Sequence, residues 1–223
     1  MKKKLIIFLT LILFFLIFNK TFLELLIENR LSSYTEHKVK LNLSKFNLFS
    51  GNLEFKEIKL QNKKNFFYQN IFDFEKIIIK LEPKTYFRKL IIIKKLSFYK
   101  PKIFFEIKNL DNENKQKDNL EILEKLTSET KPKIYPKKDK DKNFIINNLN
   151  IKNATVFINH DKYSKNLKIP LSSMIFKNIG NSGDEEIKFQ HYKNIMKLIM
   201  TDVYFRITDE NLKRLIKKNY KIN

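Results

Sequence analysis

The side chains able to do chemistry are few and scattered. Three histidines, His37, His160 and His191, stand far apart, with no spacing that lets two of them hold one metal ion. His160 followed by Asp161 has the composition of an oriented imidazole, but the polar residues around it predict a solvent-exposed loop pair. The 223-residue chain has no Cys, which removes thiolate nucleophiles, sulfur ligands and disulfides. Gly51, Gly180 and Gly183 cannot form a dinucleotide turn or a P-loop. Asp184, Glu185 and Glu186 precede a helical pattern and complement its dipole; without a glycine-bearing loop and spaced carboxylates they do not predict a cation site. Phe66, Phe67 and Tyr68 sit among Lys63, Lys64 and Asn65. Aromatics among lysines can stack bases, but next to the N-terminal segment described below they are expected to pack on a sheet or dip into a membrane surface. The expectation is a non-enzymatic protein without metal or cofactor.

The formal net charge is +21, from 45 basic and 24 acidic residues. Attraction to polyanions or anionic headgroups is one reading. A composition biased toward Lys, Asn, Ile and Phe is the other. Only Arg30, Arg88, Arg206 and Arg214 are arginines, which counts against a nucleic-acid reader, since such proteins favour Arg for bidentate contacts. No nucleic-acid partner is expected.

The elements that would position any site begin with "MKKKLIIFLTLILFFLIFNK". After three lysines comes an apolar run that includes Leu5, Ile6, Ile7, Phe8, Leu11, Ile12, Leu13, Phe14, Phe15, Leu16, Ile17 and Phe18, interrupted only by Thr10. No small-residue cleavage site follows, and the helical pattern continues to Ile27. At ~1.5 Å per residue the run to Phe18 is ~21 Å, and the extension to Ile27 reaches ~35 Å, against a ~30 Å hydrocarbon core. Residues 1–32 are therefore expected to be an uncleaved single-pass anchor. The lysines keep the N-terminus cytoplasmic and place the body outside.

From residue 38 the period becomes two. Val39, Leu41 and Leu43, then Leu53 and Phe55, then Ile58 and Leu60 each alternate with polar residues. The parity change predicts a bulge near Lys56. Ile77, Ile79 and Leu81 follow, then Leu90, Ile92, Leu96 and Phe98 on one parity with Lys94 as the exception, then a turn at Pro101, then Ile103, Phe105 and Ile107. Residues 109–142 form a charged linker, with a short helix expected from Asp118 as N-cap through Leu126. Strands resume at Ile145, Leu149 and Ile151, at Ala154, Val156 and Ile158, and at Leu167, Ile169 and Leu171. A helix with breaks is expected from about Ile187 to Lys218, within a helical segment 184–223 that could cap the sheet edge. Ile91–Phe105 matches Phe144–Ile158 without gaps, a weak internal repeat. The fold class is α+β and mainly β: an anchor helix, a curved antiparallel sheet with one apolar face over 33–183, a short inserted helix and a long C-terminal helix.

The order of "LEFKEIKLQN", a Phe-rich segment, "FDFEKIIIKLEP", "LIIIKKLSFYKPKIFFE" and the later "NLEILEKL" and "FIINNLNIKNATVFI" resembles the N-terminal module of the AsmA-like family, over roughly residues 1–180. That family's members are typically several times longer. The resemblance implies a bacterial inner-membrane protein with a periplasmic body, acting in phospholipid transport or outer-membrane homeostasis through an apolar β-groove. It brings no catalytic residues. The candidate groove is Leu53, Phe55, Ile77, Ile79, Leu81, Leu90, Ile92, Leu96, Phe98, Ile103, Phe105, Leu149, Ile151, Val156 and Ile158. Membrane phospholipid is the expected partner; the alternative is a structural subunit that pairs with another envelope protein by strand addition at its sheet edge. Whether the apolar face is open or roofed by its own helices is left undecided by the pattern.

Overall fold

The computed structural model describes residues 6, 8, 10, 20–63, 66–109, 116–118, 143–160, 164–180 and 185–220. Of the expected anchor, Ile6 and Phe8 are helical and 62% and 60% exposed. Leu5, Ile7, Leu11, Ile12, Leu13, Phe14, Phe15, Leu16, Ile17 and Phe18 lie outside the described residues. Among the described residues no helix is long and apolar enough to cross a membrane.

Helix α1 (Lys20–Thr35) leads into one nine-stranded sheet: β1 (Val39–Asn47), β2 (Asn52–Gln61), β3 (Asn70–Leu81), β4 (Leu90–Asn109), β5 (Gln116–Asp118), β6 (Asn143–Lys152), β7 (Thr155–His160), β8 (Ser164–Pro170) and β9 (Met174–Gly180). Helices α2 (Glu185–Arg206) and α3 (Glu210–Tyr220) follow. The class is α+β, mainly β, as the periodicity predicts. The expected C-terminal helix is broken where Asp209 caps α3, its Oδ1 accepting from Asn211 and Leu212 N–H at 2.9 Å each. Asp118, expected to cap a short helix, instead ends β5 and pairs with Ile107; the rest of that helix falls outside the described residues.

The sheet is mixed, not wholly antiparallel. β1 to β4 form an antiparallel meander, but β4 pairs in parallel with β6 and then with β7. The partners are the repeat equivalents, Ile91 with Phe144 through Phe105 with Ile158, at a constant offset in sequence. The repeat is thus two strands laid side by side. A parallel pair needs a crossover from one end of a strand back to the other. β4 has 20 residues and spans on the order of 60 Å, so the connection from β5 to β6 is a long one.

Pro101 does not turn the chain. β4 runs through it, with Lys100 in the left-handed region (φ 46°) and Pro101 opposite Phe74. Asn153, the repeat equivalent of Lys100, has φ 52°, and Glu57 on β2 has φ 51°, which places the bulge expected near Lys56. Glu57, Glu75, Lys100 and Asn153 occupy one row across the strands. Each adds one residue to its strand, so inward and outward faces exchange together in all of them.

α1 seals the edge of the sheet. It runs antiparallel to β1, and three of its side chains take successive edge donors: Leu43 N–H donates to Glu24 Oε1 (2.6 Å), Leu41 N–H to Glu28 Oε1 (2.9 Å) and Val39 N–H to Ser32 Oγ (2.8 Å). Four helix residues rise ~6 Å and two strand residues ~6.6 Å, so the two spacings match. Edge capping was expected of the C-terminal helices, which instead lie on the face of the sheet. Their apolar stripe requires a broad apolar partner surface, and an edge does not offer one.

Replacing Glu24 and Glu28 together with Ala should lower the urea-unfolding free energy of the full chain in detergent by about 1–3 kcal/mol and promote self-association through the uncovered β1 edge. The exposed Asn29→Ala variant on the same helix serves as the control. Equal midpoints for the two would show that the carboxylates do not hold the edge.

Candidate functional site

Because the parity exchanges in register, apolar residues align in rows on one face. Leu53, Ile79, Leu96, Leu149 and Phe176 are successive cross-strand partners, as are Phe55, Ile77, Phe98, Ile151 and Met174. Beyond the row of inserted residues come Leu60, Phe72, Ile103, Val156 and Ile169, then Phe105, Ile158 and Leu167. The face is continuous across the sheet.

Helices cover it unequally. At the β1 side, Leu23 and Ile27 of α1 pack on the cluster of Leu43, Phe55 and Ile58. At the other side, Ile199, Met200 and Val203 of α2, with Ile207 and then Leu212 and Ile216 of α3, bury Phe105, Ile151, Val156 and Ile158. Ile195 also reaches the cluster of Ile146, Leu149 and Ile179. Of the candidate groove, Phe55, Phe105, Leu149, Ile151, Val156 and Ile158 are therefore core. Leu53, Ile77, Ile79, Leu81, Leu96, Phe98 and Ile103 are half-buried. All but Ile103 of these form a strip between the two covers, joined by the Leu53–Ile79–Leu96 and Ile77–Phe98 pairs.

Leu90 and Ile92 do not belong to this strip. The β3–β4 register shifts at Lys94, so Leu81 pairs with Ile93, and Ile93 packs with Leu96 against Ile146. One inserted residue turns Leu90 and Ile92 to the opposite face. Lys94, the exception in the alternation, is the sign that the parity had already changed.

The opposite face is basic. Lys56 pairs with Lys76, and Lys80 with Lys95. The Nζ atoms of Lys76 and Lys152 lie 4.8 and 5.4 Å from the Tyr99 ring centroid. At the far end, the buried Glu106 carboxylate accepts from Phe67 N–H (2.7 Å) and Tyr68 N–H (3.1 Å), folding the β2–β3 loop onto this face. Tyr68 packs on Phe104 at 5.1 Å, and burial, helped by Glu106, raises its phenol pKa. Phe67 stays 62% exposed. His160 is not in an exposed loop: it ends β7 opposite Ile107, fully buried on the apolar face. His37 is buried too, its Nδ1 2.8 Å from the Gln61 carbonyl oxygen. His160 closes a strand, and His37 sits in the bend that leads from α1 into β1.

No protein-family model, curated protein or solved structure matches the chain. The AsmA-like resemblance therefore rests on the residues quoted for it.

Core and strip should respond differently to truncation. Leu212→Ala, at a fully buried position, should cost about 2–5 kcal/mol of unfolding free energy, whereas Leu96→Ala should cost less than about 1.5 kcal/mol. Equal losses would mean that the strip is ordinary core.

Proposed function

We propose that this chain is a membrane-tethered, non-enzymatic protein of the bacterial cell envelope that binds phospholipid through its apolar sheet face. The tether is the N-terminal apolar helix in the inner membrane, and the sheet stands on the periplasmic side. The observation that carries this reading is the half-buried strip of Leu53, Ile77, Ile79, Leu81, Leu96 and Phe98 between two helical covers. An apolar face left partly open beside a bilayer is a surface for acyl chains. Each methylene buried there contributes ~0.8 kcal/mol, so ten of them supply on the order of 8 kcal/mol before the cost of immobilising the lipid.

The tether is supported by α1 itself. Its inner side, with Leu23 and Ile27, packs on the sheet. Its outer side exposes Phe22, Leu25 and Leu26 in the first two turns, before the exposed polar pair Asn29 and Arg30. Apolar side chains on both sides of the early turns fit a helix that is still leaving the bilayer as it reaches the sheet. The AsmA-like pattern agrees with this arrangement.

Full-length protein extracted in mild detergent should carry phospholipid detectable by mass spectrometry. The Leu96→Gln variant should lose most of that lipid while keeping its thermal midpoint within several degrees, because the position is half-buried and a neutral amide there can still reach water. Lipid-free wild type, or undiminished lipid in the variant, would sink the reading.

A further inference from the structure

The two turns at one end of the sheet carry the most exposed aromatic residues of the described chain. Phe49, in the β1–β2 turn, is 87% exposed, and Phe87, in the β3–β4 turn, is 99% exposed. Large apolar side chains held this far into solvent gain nothing for folding. Nor are the turns loose. The Tyr86 hydroxyl donates to Leu48 O (2.8 Å) and Leu81 N–H to Gly51 O (2.8 Å), so the second turn is bonded to the first. Gly51 has φ +69°, and a Cβ there would fall 2.4 Å from Leu81 O, which fixes glycine at the contact. Thr85 adds a brace: its hydroxyl donates to Glu82 O (2.7 Å) and accepts from Ile92 N–H (3.0 Å). The result is a fixed platform that presents two phenylalanines.

The platform is rimmed by cations. Lys84, Arg88 and Lys89 are exposed in the same turn as Phe87, and Lys45 is exposed on β1 close before Phe49. Of the nearby acids, Glu82 is engaged by Lys94. Aromatic tips within a basic rim fit the interface of an anionic bilayer, where rings sit at headgroup depth and ammonium groups meet phosphate.

The direction of α1 selects the bilayer. Glu24 bonds Leu43, Glu28 bonds Leu41 and Ser32 bonds Val39, so the Lys20 end of α1 points to the end of the sheet that carries both turns. The N-terminal end of α1 is thus directed toward the platform, and the β2–β3 loop with Phe67 lies at the opposite end.

We propose that the Phe49 and Phe87 turns are a second membrane contact, inserting into the anionic phospholipid bilayer that holds the N-terminal helix. With helix and platform both fixed, the sheet stands with its strands directed away from the membrane. The half-buried strip then begins at the platform, where Leu53 and Leu81 adjoin the turns. This contact shares the tether of the functional reading but does not need the strip to hold lipid.

The chain contains no Trp, so single reporters are available. Phe49→Trp, Phe87→Trp and, as control, Phe67→Trp are each made in the full chain. Each is reconstituted into phosphatidylethanolamine–phosphatidylglycerol vesicles, with flotation measured on the same samples. The first two should emit at shorter wavelength than in detergent-free urea and be quenched by lipids bearing a spin label near the headgroup, while the control is not. Adding Lys84→Glu, Arg88→Glu and Lys89→Glu should reduce the quenching at least severalfold. Floating vesicles in which the Phe49 and Phe87 reporters are no more quenched than the control would overturn the platform contact and leave the tether and the lipid strip standing. A chain that fails to float would overturn the tether and the contact together. Lipid copurification decides the strip separately.

Discussion

Long strands with one greasy face have a register problem: a single extra residue sends every later side chain to the wrong side. Here that residue is added in one row, at Glu57, Glu75, Lys100 and Asn153, so that β2, β3, β4 and the β6–β7 segment exchange faces at the same level, while the edge strand β1 takes up the difference by shifts in its register with β2. The apolar rows on either side of the line remain on one surface as a result. Were one strand to lack its insertion, half of its isoleucines and phenylalanines would face the lysines. The left-handed backbone at Glu57, Lys100 and Asn153 is tolerated because the burial it aligns is worth more than the strain of ~1–3 kcal/mol at each position.

That continuous face sets the task of the helices. α2 and α3 lie flat on its far half and give the densest core, with Val203, Leu212 and Ile216 fully buried. α1 has a different task. Its i, i+4, i+8 side chains answer alternate donors of an edge strand, and this closes a row of N–H groups that would otherwise recruit another chain. Covering the near half of the face is a secondary result, achieved among the described residues of α1 through Leu23 and Ile27. The strip between the covers stays half-buried because neither helical element was placed to close it.

The same arrangement orients the molecule. A helix that must run antiparallel to β1 to make its bonds also fixes the end of the sheet toward which its Lys20 terminus is directed. Exposed phenylalanines in two braced turns occur at that end, and the carboxylate-anchored β2–β3 loop at the other. In the proposed arrangement strip, tether and tip share one end of one sheet.

Much of this was legible in the residues. Alternation marked the long strands through Leu171 but not the short, polar β5, read as part of a charged linker; the change of parity at Lys56 marked the first bulge; the match of Ile91–Phe105 to Phe144–Ile158 marked two equivalent strands. The apolar N-terminal run and the helical stripe of residues 187–218 were equally plain, because period and composition are local properties. What no local pattern carries is the partner. That the repeat equivalents lie beside each other in parallel, that Pro101 sits within a strand, that Lys94 turns Leu90 and Ile92 away from Leu96, and that α1 rather than α2 guards the edge are facts of pairing. Side-chain period tells a strand which residues share a face. Only the hydrogen bonds to its neighbours decide which face that is, and what finally lies over it.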